Sequence, residues 1–238
     1  REVNGTHVSA LAGRPADSCF AGILPALARQ RKEGVYMLTY EDIKNNEAIR
    51  TYIQRADESL VALGFTEHSF AHVTRVAETA GYILETLGYP ARTVELVKIA
   101  GYLHDIGNLV NRIDHSQSGA VMAFRILDKM GMEPNEVAQV IAAIGNHDEH
   151  TAYPVNALAA ALILADKSDV RRSRVRNRDV PSFDIHDRVN YSVEQSSLKT
   201  DVESRTFTLV LTVDTGVSPV ADYFEIFLER MMLCRRAA

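Results

Sequence analysis

Cysteine is scarce in this 238-residue chain: Cys19 and Cys234 stand near opposite ends. Two distant thiols exclude a disulfide framework and a repeated Cys-x-x-Cys zinc site, and a cytoplasmic location is the plainer expectation. Long hydrophobic runs are also missing. No stretch approaches the roughly 20 apolar residues that a helix needs to cross a bilayer, so an α-helical membrane protein is excluded. Positive charge is not in excess either, since 26 Lys and Arg face 31 Asp and Glu for a formal charge of −5. The chain as a whole is therefore a poor general nucleic-acid binder, and any basic function must be local. There is no internal repeat and no low-complexity segment. What remains is the composition of a globular protein able to bury one sizeable core.

Residues 1–36 mix Gly, Pro, Ala and Arg without helical periodicity. Their apolar patch at 20–24 precedes Pro25 and a basic cluster, the wrong order for a secretory signal, so a peripheral or non-native segment is expected. Residues 37–170 read as helices parted by brief punctuation: 41–63 closed by Gly64, 66–87 with Thr66 as N-cap, 91–105, 117–130, 135–147 and 155–169. Residues 171–185 are a basic linker. In 186–238, Val189, Tyr191 and Val193 alternate with polar neighbours, as do Phe207, Leu209, Leu211 and Val213. That period of two predicts a β-hairpin, and Pro219 opens a last helix. The expected fold is mainly α, a helical bundle with a small C-terminal α+β extension of hairpin plus helix.

The histidines are unevenly spread, with six of eight between residues 68 and 150. Followed in steps of three or four, the apolar stripes run into polar residues. His72 continues into Val76, Ala80, Ile83 and Leu87. His104 is reached from Val97 through Gly101, His147 from Val140 through Ile144, and Asp166 from Leu158 through Leu162. An Asp buried alone is costly, and a divalent ion relieves that cost at Asp166 and at the His104-Asp105 pair together. His72, His104, Asp105 and Asp166 form a nitrogen and oxygen donor set suited to Fe, Mn, Zn or Mg. The bland alternative is four satisfied core residues, which is harder to sustain for four stripe positions than for one.

These residues resemble the HD-domain metal-dependent phosphohydrolases, whose pattern is His, then His-Asp, then Asp. Here it is His72, His104-Asp105 within Gly101-Tyr102-Leu103-His104-Asp105-Ile106-Gly107, and Asp166 within Leu164-Ala165-Asp166-Lys167-Ser168-Asp169. The resemblance covers roughly residues 66–170 and implies an HD-type helical bundle with one or two divalent ions. Members with two metals add two histidines, and His115 and His147 stand at those positions. The proline of the family's His-Pro-x-x-Gly loop is Ser116 here, and the first His of its His-His-Glu element is Asn146. His68, one turn before His72, is a further candidate that could ligate or only hydrogen-bond. The subgroup that hydrolyses cyclic di-GMP commonly has a lysine where this chain has Asn108, so that substrate fits poorly.

The resemblance implies hydrolysis of a phosphate ester or anhydride, the expected substrate being a nucleotide or related small phosphorylated metabolite. Asp105 would both ligate and orient water, with Lys167 placing a charge on the phosphate. Asp148, Glu149 or Asp169 are open as proton carriers. The basic run after Asp166 offers guanidinium forks, with Arg171 and Arg172 the expected substrate contacts. A solvated basic face is the alternative for that run. The rival function is a nucleotide-sensing regulatory module that keeps a structural metal without hydrolysis. Nucleic-acid binding ranks last, because residues 171–178 lack interleaved aromatics. The C-terminal extension is a candidate surface for a homo-oligomer.

Overall fold

Local capping chemistry sets where the helices begin. In the computed structural model, which describes residues 37–238, the Thr39 side chain caps α1 (Tyr40–Lys44) and the Asn46 side chain accepts from Ile49 N to start α2 (Glu47–Ala62). The stretch 41–63 is thus two helices rather than one, because Asn45 and Asn46 end the first and cap the second. Ser69, not Thr66, caps α3 (Phe70–Thr86). Then come α4 (Ala91–Leu103), a 3-10 turn (Ile106–Leu109), α5 (His115–Lys129), α6 (Pro134–Gly145) and α7 (Ala157–Ser168). The expectation for residues 1–36 lies outside the described residues.

The main core is built by α1 to α7, with α3 lying against α4 and α7 and with α5 against α6. Two glycines permit close approaches that aim the site. A Cβ on Gly101 would lie 2.7 Å from Ala77 Cα, so its absence lets α4 press onto α3. A Cβ on Gly107 would overlap the His115 carbonyl, so its absence lets the 3-10 turn abut the start of α5. Together they bring the loop after α4 and the N-termini of α3 and α5 into one place.

The basic stretch after α7 is compacted into two 3-10 turns, Arg172–Arg174 and Val180–Ser182. Val189 and Tyr191 belong to a helix, α8 (Ile185–Ser192), and not to a strand as their alternation predicts. Asp184 caps that helix by accepting from Asp187 N, and Val189 is buried in a second cluster with Val170, Val193, Tyr223 and Phe227. The hairpin itself begins at Val193: β1 (Val193–Asp201) pairs antiparallel with β2 (Thr206–Val213), from Val193 opposite Val213 to Asp201 opposite Thr206, with a bulge near the start. Leu198 and Phe207 on one face pack against the main core. The last helix, α9 (Val220–Ala237), lies along α7, burying Leu233 with Ile163 and Ala152. Among the described residues no helix is long and apolar enough to cross a membrane.

Candidate metal centre

Four imidazoles converge from four places in the fold. His72 is in the first turn of α3, His104 caps the C-terminus of α4, His115 opens α5, and His147 follows α6. All four are buried. Asp114, just before His115, sits in the left-handed region at φ 55°, the bend that turns the chain into α5. With His68 the rings form an edge-on chain, His68–His72–His104–His147–His115, with centroids 4.9 to 5.4 Å apart.

Each ligand candidate has one ring nitrogen anchored and the other aimed inward. His104 Nδ1 donates to Gly101 O at 2.7 Å, His147 Nδ1 to Ile144 O at 2.7 Å and His115 Nδ1 to Arg112 O at 3.0 Å. His72 Nδ1 lies 2.8 Å from Asp169 Oδ2. A carbonyl oxygen only accepts, so the proton sits on Nδ1 of those three rings and the Nε2 lone pair is left for another partner. That partner region is occupied by carboxylates and, at His115 Nε2, also by Arg112 Nη1 at 3.4 Å. Asp105 Oδ2 lies 3.5 Å from His72 Nε2 and 3.2 Å from His104 Nε2, while Asp105 Oδ1 lies 3.5 Å from His115 Nε2 and 4.0 Å from His147 Nε2. Asp166 Oδ1 lies 3.4 Å from His72 Nε2 and 3.8 Å from His104 Nε2.

Among the described residues, two sets have donor atoms within 4.8 Å of one another: His72, His104 and Asp166, and His104, Asp105 and His147. The fit to a divalent ion has an independent sign. His72 Nε2 and Asp105 Oδ2 are buried without a hydrogen-bond partner, which is costly for a nitrogen lone pair and a carboxylate oxygen. A cation between them removes both debts. Asp105, with its two oxygens turned toward different histidine pairs, is shaped to bridge two positions.

The protonation pattern agrees. Burial opposes the charge of Asp105, yet His104, His68 and His72 hold its carboxyl well below the usual range. Burial likewise opposes Asp166, and Lys167, His72 and His104 outweigh it. Burial, with His104, His115 and Lys167, drives His147 well below the ordinary histidine value, and burial and Arg112 lower His115. Burial and Arg174 press His72 down, but Asp105, Asp166 and Asp169 push it up to about 9. Ionised carboxylates thus surround His72 Nε2 with a negative potential that demands a positive partner, a proton or a metal ion.

Asp105, His115, His147 and Asp166 form the floor of an open cavity of about 480 Å³, and the fully buried His72 and His104 are not among its lining residues. Lys167 lines it, 2.7 Å from Asp166 Oδ2 and 3.5 Å from Glu149 Oε1. His68, Asp148 and Glu149 line it too. Asp169 does not. It is 3% exposed, lies behind His72 and is held by Arg171 Nε at 2.9 Å and Arg75 Nε at 3.1 Å, so it anchors the ring and is not a proton carrier to the cavity.

The expected substrate contacts Arg171 and Arg172 are likewise directed elsewhere. Arg171 is consumed by Asp169 and by Glu67 at 2.9 Å. Arg172 donates to Tyr191 O, stacks on the Tyr191 ring and faces Asp214 at 3.4 Å, toward the extension. Neither is among the cavity-lining residues; from the same run Arg174 is. Two further cations line the cavity, Arg112 before α5 and Arg230 on α9, and both lie outside the sequence motifs. Arg112 stands three residues before the candidate ligand His115, a spacing that signals proximity; no local signal marks Arg230.

Residues 69–178 match the HD domain family. An uncharacterised protein of Methanocaldococcus jannaschii is 24% identical over 217 residues, 80% of this chain and 82% of that protein. The crystal structure of a predicted HD superfamily hydrolase from an uncultured Thermotogales bacterium aligns with a TM-score of 0.41 at 25% identity, over 55% of this chain and 73% of that one.

Proposed function

We propose that this chain, a member of the HD-domain superfamily through its residues 69–178, is a metal-dependent phosphohydrolase acting on a phosphate ester or anhydride of a small metabolite such as a nucleotide. The observation that carries the reading is the Asp105 carboxylate between two pairs of Nε2 atoms, with His72 Nε2 and Asp105 Oδ2 buried and unpartnered. His72, His104, Asp105 and Asp166 would hold one ion, and His115 and His147 with Asp105 a second. A divalent ion supplies Lewis acidity that neutralises phosphoryl oxygens and acidifies water. Four imidazoles favour Fe, Mn or Zn over Mg.

The chain's own residues do the rest. Nδ1 anchoring fixes the tautomer and tilt of each ring before a ligand arrives. Asp105 orients an attacking water from the floor of the cavity. Lys167, its ammonium pinned between Asp166 and Glu149, and Arg174, 7% exposed and held by Glu67 O and Asp169 O, present positive charge to a phosphoryl group. Arg112 adds a third. It stacks on Phe65, hydrogen-bonds to Asn108 and reaches His115 Nε2 at 3.4 Å, and it makes no ion pair with a carboxylate among the described residues. Asp148 and Glu149, which line the cavity, are the groups available to pass a proton to the leaving oxygen.

The test compares the parent protein with His104→Ala, both purified without added metal or chelator. The expected parent carries about one or two ions of Fe, Mn or Zn per chain and releases phosphate from members of a phosphomonoester and nucleotide panel; the variant loses both. A loaded parent that is thermally stabilised by a nucleotide yet leaves it intact would replace hydrolysis with a sensing role. No metal after reconstitution would defeat both.

A further inference from the structure

Arg230 reaches the cavity from outside the family-matched segment. It lies on α9, one turn beyond Phe227, whose ring is buried in the second cluster. That packing fixes the helix face: the Arg230 guanidinium lies 4.0 Å over the Phe227 ring, and its Nε donates to Glu149 Oε1 at 2.7 Å. It lines the same cavity as Asp105, Asp166 and Lys167. Its hydrogen bonding uses Nε alone, so neither Nη nitrogen has a protein acceptor among the described residues.

A purely structural latch explains this placement poorly. The extension is already fastened by Leu233, Tyr223 and Phe227, all buried apolar anchors. The unused Nη edge points to a ligand instead. Lys167 and Arg230 share Glu149, and Lys167 also leans on Asp166. Once Asp166 is committed as a metal ligand, Lys167 and Arg230 keep ion-pair contact with Glu149 alone, although Asp148, Asp184 and Asp187 also line the cavity, and the Arg230 Nη nitrogens remain available to an anion. Stacking and the Nε bond hold the guanidinium plane in advance, so little freedom is lost when its Nη edge meets oxygen pairs of matching spacing.

We propose that Arg230 is a substrate-binding residue whose Nη edge takes an anionic oxygen of the phosphorylated substrate, which makes the C-terminal helix part of the active site. This rests on the phosphate-directed reading given above. The experiment uses inorganic phosphate as the probe, titrated by calorimetry into the metal-loaded full chain. Parent, Arg230→Ala and Arg230→Lys are compared, with metal content and melting temperature recorded for each.

The expected result is a phosphate affinity about 10- to 100-fold weaker in Arg230→Ala, the range for losing charge-assisted hydrogen bonds. Arg230→Lys should recover part of it, with metal content and melting temperature held at parental values. Equal phosphate affinity in parent and Arg230→Ala overturns the assignment. So does a loss that tracks a fall in metal content or melting temperature, which would make Arg230 a latch. A parent that binds no phosphate overturns it as well. A parent that binds phosphate through Arg230 but hydrolyses no phosphoester leaves the assignment standing and removes only the hydrolytic reading.

Discussion

Replacing Asp169 with Ala tests whether the candidate metal-binding cluster is held from behind. The carboxylate is 3% exposed, accepts from His72 Nδ1 at 2.8 Å, binds Arg171 Nε at 2.9 Å and Arg75 Nε at 3.1 Å, and lies 3.9 Å from Arg174 Nη1. Arg75 is half exposed and Arg171 retains Glu67, so both relax cheaply. Arg174 is 7% exposed and His72 is fully buried, and the nearby Glu67 carboxylate is already paired with Arg171. Removing one partner of a buried ion pair costs about 3–5 kcal/mol, a large share of the roughly 5–15 kcal/mol that stabilises a typical domain. At about 2–4 °C per kcal/mol for a chain of this size, the melting temperature should fall by roughly 6–20 °C.

Asp169→Asn keeps an oxygen for His72 while losing the charge, and should recover part of the loss. The assay is denaturant unfolding at fixed metal concentration, since an ion bound only to the folded state adds its own stabilisation. Metal affinity should fall with stability, because the His72 ring loses the acceptor that orients its Nε2. An Asp169→Ala protein within about 1 kcal/mol of the parent, with unchanged metal affinity, would refute the anchoring argument.

Gly101→Ala sets two opposed effects against each other. Helix propensity favours Ala by about 1 kcal/mol, but the new methyl would sit 2.7 Å from Ala77 Cα and 2.9 Å from Ala77 N, atoms of a backbone that cannot swing aside. We expect net destabilisation of about 1–3 kcal/mol with lower metal content, since α3 and α4 carry His72 and His104; a neutral or stabilised variant would contradict it. Cys234 should alkylate slowly. Burial pushes its thiol from 9.0 up to about 11 despite Lys167 and Arg230, so the reactive thiolate is scarce at pH 8 and labelling should accelerate steadily toward pH 11. Peptide mapping after timed iodoacetamide treatment measures this, and rapid labelling at pH 8 would contradict it.

Helical periodicity is a local property, so the sequence by itself was enough to identify His72, His104, His147 and Asp166 as polar residues on buried stripes, and His104-Asp105 as the pair between them. The resemblance added His115. Alternation is a weaker signal: Val189 and Tyr191 alternate, yet Asp184 caps a helix there and burial of Val189 selects it. Charged side chains are less legible still, because their direction is chosen by partners far away in the chain. Of five arginines between 171 and 178, nothing local says that Glu67 and Asp169 claim Arg171, that Tyr191 and Asp214 draw Arg172 outward, or that Arg174 turns to the cavity. Asp169 faced the same ambiguity, and only the packing of α3 against the end of α7 puts it behind His72. Arg230 becomes a neighbour of Glu149, 81 positions earlier, solely because α9 docks along α7. The sequence determined which side chains are candidates to bind a metal, since that follows from residue type, helical phase and, for His115, the family resemblance; the tertiary structure decided which cations face the cavity, since that is set by long-range pairing of charges.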